Sequence, residues 1–130
     1  MNQRYYQRTH IDVECMFFLS GKEISHCEFS GILENISESG VMIIVDPSTP
    51  SEIVDIIGIN DHIHFDGFDE YNYFGEDRDD YLSGDVTVVR KESSDGRTIL
   101  GCKFGPVSEE LTNYIADKKT CSFCKTNSLI

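Results

Sequence analysis

Two short sets of polar residues have the types and spacing to do chemistry. The first is Asn35-x-Ser37-x-x-Gly40, inside the stretch Glu34-Asn35-Ile36-Ser37-Glu38-Ser39-Gly40-Val41. In extended backbone Asn35 and Ser37 project to the same side. With a glycine leaving bare backbone beside them, they could bond the edge of a flat polar ligand. The same residues are also the ordinary material of a tight turn, because Asn and Ser bond nearby backbone and glycine permits positive φ. The second set is Arg4 and Arg8, in Arg4-Tyr5-Tyr6-Gln7-Arg8. A guanidinium is a planar fork that bonds phosphate in bidentate fashion, matches O6 and N7 of guanine, and stacks on a base. Fully extended, two residues four apart are separated by roughly 13 Å, enough to straddle a small anion. One of Tyr5 and Tyr6 could stack on an exposed base, since neighbours on an extended arm face opposite ways. By composition alone, a solvated N-terminus is the simpler account of the arginine pair.

Charge gives the arginines more meaning. The chain of 130 residues has a formal net charge of −12 and a pI near 4.5. A field of that sign repels DNA, RNA and anionic membrane, whose binding depends on clustered Lys and Arg. Nucleic-acid polymers are therefore not expected partners. The first eleven residues nevertheless hold Arg4, Arg8, His10 and the terminal amine, with no acid before Asp12. Such a basic island on an acidic chain suits a small anion.

The elements that must position these residues are mostly strands. Ile11, Val13, Cys15, Phe17 and Leu19 alternate with other residues at period two. Met16 and Phe18 break the polar face, which predicts that this end is covered from both sides. A second strand is expected from about residue 24 to 33, with Cys27, Phe29, Gly31 and Leu33 on one face and a bulge or sharp bend at Gly31. Val41 to Val45 is short and apolar enough for a buried strand. Pro47 and Pro50 mark a loop, and Ile53, Ile56 and Ile57 have helical spacing ending at Gly58. Ile59, Ile63 and Phe65 stand in phase for a fourth strand. Residues 66–80 combine seven acids with aromatics. Tyr71 and Tyr73 occupy places where a calcium loop needs carboxylates, so a solvated loop or hairpin extension is expected there. Val86 to Arg90 and Thr98 to Phe104 flank Asp95-Gly96, a hairpin signal. Ser108 can then cap a helix with Glu109 and Glu110 first, Lys118 and Lys119 last, and Leu111, Tyr114 and Ile115 as its apolar stripe.

Arg-x-x-x-Arg followed by Asn-x-Ser-x-x-Gly, within one small strand-rich chain, resembles the PilZ domain family from about Arg4 to Lys119. The resemblance implies an all-β fold, a six-stranded antiparallel β-barrel with a C-terminal α-helix. It divides the chain into an arginine-bearing arm at 1–9, the barrel and helix at 10–119, and a tail at 120–130. It also implies a bacterial receptor for the second messenger cyclic di-GMP. Arg4 and Arg8 would contact guanines and phosphates, Asn35 and Ser37 would hydrogen-bond the ligand, and Gly40 would give backbone clearance. Repulsion between the arginines would keep the arm mobile until the dinucleotide fastens it across the Asn35–Ser37 turn, changing the surface offered to a downstream protein. Arg90 stands where this family often carries arginine, and a salt bridge to one of the many acids accounts for it equally.

Other functions find less in the sequence. No Ser-His-Asp set, phosphate loop or paired-carboxylate pattern stands out, so no enzyme and no cofactor is expected. His62 and His64 share a face without a third metal ligand nearby. Cys15, Cys27 and Cys102 fall in strand patterns and are expected to pack, and no disulfide framework is expected. Cys121-Ser122-Phe123-Cys124 is half of a zinc site unless a second chain or distant residues complete it. The competing readings are therefore an interaction adaptor of PilZ shape with no nucleotide, and a zinc- or redox-responsive protein working through Cys121 and Cys124. A homodimer stays open. No apolar run approaches the roughly 20 residues of a membrane span, and a cytoplasmic location is the default expectation.

Overall fold

In the computed structural model, residues 9–21, 27–69 and 80–116 are described. Six strands and one short helix follow in the order β1 (Thr9–Leu19), β2 (Glu28–Ile36), β3 (Gly40–Val45), α1 (Ser51–Ile56), β4 (His62–Asp69), β5 (Asp80–Ser94) and β6 (Arg97–Phe104). They close into an antiparallel barrel with neighbours β1-β2-β3-β6-β5-β4. A second helix runs through residues 109–116. The expected six-stranded barrel with a C-terminal helix is the fold observed. β1 and β4 close the barrel where Cys15–Leu19 pair with Ile63–Gly67.

The period-two pattern of β1 places Val13, Cys15, Phe17 and Leu19 inside, with Phe17 fully buried and stacked on Phe29 at 5.1 Å between centroids. Burying a side chain of this size contributes about 1.5–3 kcal/mol. The interior continues through Leu33, Ile43, Phe65, Val88 and Leu100. One end is closed by the second helix. The Ser108 hydroxyl accepts the Leu111 N–H at 3.1 Å, as the capping reading expected, and Leu111, Tyr114 and Ile115 are buried. α1 packs against the core through Ile53, Val54 and Ile56, and the Lys91 ammonium donates to the carbonyls of Val54 and Ile57 at 2.7 and 2.8 Å.

Several local expectations are corrected. Ile59 is exposed in a turn beside Asn60 at φ 76°, and β4 begins only at His62. Residues 66–69 and 80–83 pair with one another, so the ends of the acidic segment extend the β4–β5 hairpin, one of the two arrangements expected there. The pairing runs unbroken through Gly31. Its missing side chain is required instead by the Ile44 carbonyl and the Phe17 ring, which a Cβ would meet. The extra residues fall elsewhere, at Ile11–Asp12 in β1, Glu34 in β2 and Val89 in β5. Met16 and Phe18 are 40% and 36% exposed, so the outer face of β1 is not covered among the described residues.

That face continues onto β4 and β5. Partial burial pulls the His64 pKa down, yet its hydrogen bond to Asp85 (2.9 Å) and the charge of Asp66 (3.2 Å) outweigh burial and leave it raised. A raised pKa means that folding favours the protonated ring. Its stabilisation is therefore complete below about pH 6.5 and is lost as pH rises through the elevated value. Thermal melts across that window should show the wild type losing stability relative to His64→Gln. The difference should stay under about 1 kcal/mol because the pair is partly exposed. Parallel pH profiles for the two proteins would remove His64 from this role.

Candidate functional site

The Asn35–Gly40 stretch is the β2–β3 hairpin. Its last paired residues are Ile36 and Val41, and the Ser37 N–H donates to the Gly40 carbonyl at 2.9 Å, leaving Glu38 and Ser39 at the tip. Ser37 is only 4% exposed. Its hydroxyl accepts the N–H groups of Ser39 and Gly40, both at 3.3 Å, and lies 3.1 Å from the Ser39 hydroxyl. The serine thus satisfies backbone donors that a turn would otherwise leave open. Gly40 meets the neighbouring strand: a Cβ there would strike the Cys102 carbonyl and approach the Lys103 Cα to 3.2 Å. The Ser39 carbonyl accepts the Phe104 N–H at 2.9 Å, tying the tip to β6.

The bulged residue Glu34 sets the outward phase of Asn35. Leu33 and Ile36, on either side of the irregularity, are both buried, and Asn35 sits between His10 of β1 and Met42 of β3. Its Nδ2 donates to Met42 Sδ at 3.8 Å. A thioether is a weak acceptor, so a better partner could take that donor at small cost. Strand register carries the row onward, from Met42 to Gly101 of β6 and from Gly101 to Arg90 of β5. Arg90 lies over Gly101, its Nε 3.5 Å from where a Cβ would stand. A second row beside it links Gly40 to Lys103, Lys103 to Thr87 and Thr87 to His62. His62 Nδ1 and Thr87 Oγ1 are 3.1 Å apart.

These rows make an outer shelf across β1-β2-β3-β6-β5. Its centre is low and apolar at Met42 and Gly101, with an amide on one side and the cations Arg90 and Lys103 on the other. Arg90 is not idle, since its Nε lies 3.6 Å from Glu92 Oε1. Both side chains are substantially exposed, so this pair is cheap to exchange for another anion. A surface of this kind can stack a flat ring on Met42 and the guanidinium plane, bond a ring edge through Asn35, and neutralise phosphate.

Among known proteins, the sequence model of the PilZ domain matches residues 2–117. The chain belongs to the PilZ domain family. Solved structures share the fold, two of them as follows. Inhibitor of motility (MotI/DgrA) of Bacillus subtilis has a TM-score of 0.61 at 11% identity, over 99% of this chain and 53% of that one. The present chain therefore spans about half of that protein. The PilZ domain of YcgR from Escherichia coli, solved with c-di-GMP, has a TM-score of 0.59 at 13% identity, over 97% and 98% of the two chains. A search of the curated proteins gives no match.

Of the PilZ motif positions, Asn35, Ser37 and Gly40 are brought together on one hairpin, while Arg4 and Arg8 precede β1 and lie outside the described residues. Cys121 and Cys124 lie outside them as well. Met42, Gly101 and Lys103 were not singled out from sequence. The Asp95-Gly96 turn, with φ 52° and 73°, is enough to pair Arg90 with Gly101 by counting back along the hairpin. The β3–β6 pairing that brings both to Met42 has no such local signal. Cys15, Cys27 and Cys102 are buried as expected, and burial pushes the thiols of Cys15 and Cys102 up to about 12, with Asp66 adding to the effect at Cys15.

Proposed function

We propose that this PilZ domain is a receptor for cyclic di-GMP, a binding protein and not an enzyme, acting in the cytoplasm. One observation carries the reading: register alone assembles Asn35, Met42, Gly101 and Arg90 into one outward row, with Lys103 beside Gly40 in the next. On a chain of net charge −12, cations gathered around an apolar centre suit a doubly anionic purine dinucleotide. Asn35 takes a guanine edge, Met42 gives a base a surface to lie on, and Arg90 and Lys103 face phosphate. Arg4 and Arg8, a few residues before His10 in the same chain, supply the remaining charge-assisted contacts. The segment before Thr9 fastens across the shelf when the ligand binds, and the changed surface is the signal passed to a partner protein.

The direct test is a thermal melt of the full chain with and without cyclic di-GMP. At a ligand concentration of 100 times Kd, binding to the folded state alone stabilises it by about 2.7 kcal/mol, which should raise Tm by roughly 10 °C. Cyclic di-AMP at the same concentration should do much less, because adenine does not present guanine's acceptor edge. No shift with cyclic di-GMP over a wide concentration range would reject the receptor reading.

A further inference from the structure

A groove of about 780 Å³ lies on the outer face where β3, β2, β1, β4 and β5 succeed one another. Four carboxylic residues line it, Asp12, Glu14, Asp46 and Asp66, and among the described residues its lining holds no lysine or arginine. Its apolar wall is made by Met16, Ile32, Ile44, Phe68 and Tyr81. Phe68 and Tyr81 are 55% and 54% exposed, their rings 5.2 Å apart. Exposure of aromatics at this level, on neighbouring strands and beside the exposed Met16, is unusual for a surface that meets only water.

The polar side of the groove is held in place. The Tyr81 hydroxyl donates to the Asp66 carboxylate, and the His64 ring lies between Asp66 and Asp85, with the Ser83 hydroxyl 3.3 Å from Nε2. The hydrogen bond from Tyr81 outweighs desolvation and keeps the Asp66 carboxyl below its ordinary range, so it is ionised at neutral pH. A fixed carboxylate between exposed aromatics loses little freedom when a cation docks.

We infer that this groove binds a lysine- or arginine-bearing amphipathic segment of another protein. Apolar side chains of that segment lie against Met16, Phe68 and Tyr81, and its cations meet Glu14, Asp46 and Asp66. Complementarity of charge selects the occupant: an acidic or purely polar segment would leave the carboxylates repelled or the aromatics wet. The groove borders the shelf, for the Glu14–Ile32–Ile44 pairing row runs beside the His10–Asn35–Met42 row. The inference does not depend on nucleotide binding and is tested without it.

The probe is a synthetic amphipathic peptide of leucine and lysine, titrated into the isotope-labelled full chain. Its controls are a copy with glutamate for lysine and a copy with serine for leucine. The leucine–lysine peptide should shift the amides around Glu14, Met16, Ile32 and Phe68, and each control should bind at least about tenfold more weakly. Two pairs of substitutions, Glu14→Gln with Asp66→Asn and Met16→Ser with Phe68→Ser, should each weaken the peptide about tenfold. Glu109→Gln with Glu110→Gln removes equal charge from the exposed start of the second helix and should leave binding unchanged. Thermal melts identify any variant that fails to fold, and the second pair then stands in for the first. Equal losses in the groove and helix variants would mean a general field effect and overturn the inference. So would serine–lysine binding as tight as leucine–lysine. If deleting residues 1–8 shifts the groove amides without peptide, the chain's own N-terminus is the occupant and the partner is rejected. A dimer dissolved by the groove variants assigns the surface to a second copy and rejects the partner likewise.

Discussion

Arg8→Ala is expected to lower affinity for cyclic di-GMP by roughly 10- to 100-fold, and Arg4→Ala with Arg8→Ala to take binding below detection in titration calorimetry. Both residues precede the described part of the chain, and the expected effect follows from their chemistry. A charge-assisted hydrogen bond contributes about 1.5–3 kcal/mol, and each 1.4 kcal/mol is a factor of ten in Kd. The shelf's own cations, Arg90 and Lys103, are exposed, and Arg90 already lies beside Glu92, so they compensate little. Arg8→Lys separates two causes of a loss. It restores the charge without the bidentate fork and should recover only part of the affinity. Full recovery would reduce the arginine to a point charge. The apo melt should be nearly unchanged in both variants, since the first described strand begins at Thr9, after both arginines. Undiminished binding by the double variant would remove the N-terminal arginines from the site altogether.

Much of the barrel was legible because period-two burial writes itself into sequence. Val13, Cys15, Phe17 and Leu19 are all inside, and the Asp95-Gly96 turn and the Ser108 cap stand where their residue types put them. What failed were features decided by distant contacts. Ile59 has the right phase for β4, but the left-handed Asn60 turns the chain first. Met16 and Phe18 look like residues covered on both faces, yet no described element packs over them, and they become part of the groove wall and its flank. Glu34 appears as an ordinary strand residue, and only the pairing reveals that it is the extra one.

The candidate site divides along the same line. Asn35 was readable from its motif, as a local pattern. Met42, Gly101 and Lys103 depend on the β3–β6 pairing, which joins strands separated in sequence by two others and a helix. Arg90 was readable as a candidate but not as a choice, because its partner could be an acid or a ligand. The structure shows the acid, Glu92 at 3.6 Å, and a position over Gly101 from which either partner is within reach.

Gly40→Ala is the second substitution with a large expected effect, and it separates two explanations of one motif residue. Were the glycine required only to let a ligand approach, alanine would impair binding and leave the apo-protein as stable as before. The contacts argue otherwise. A methyl at residue 40 meets the Cys102 carbonyl oxygen head-on, with the carbonyl carbon at 3.1 Å and the Lys103 Cα at 3.2 Å. These are backbone atoms of a paired strand and cannot swing aside as a side-chain end would. Either β6 moves from β3 or the hairpin tip lifts, breaking the Phe104 to Ser39 hydrogen bond. Overpacking of this kind costs about 1–3 kcal/mol, which for a chain of this size lowers Tm by roughly 4–11 °C. Calorimetry of the nucleotide-free variant reads the effect directly. Because the same displacement would misalign Met42 with Gly101, binding should fall together with stability. A variant that melts like the wild type but no longer binds would show that ligand clearance, and not the approach of β6, requires a glycine at this position.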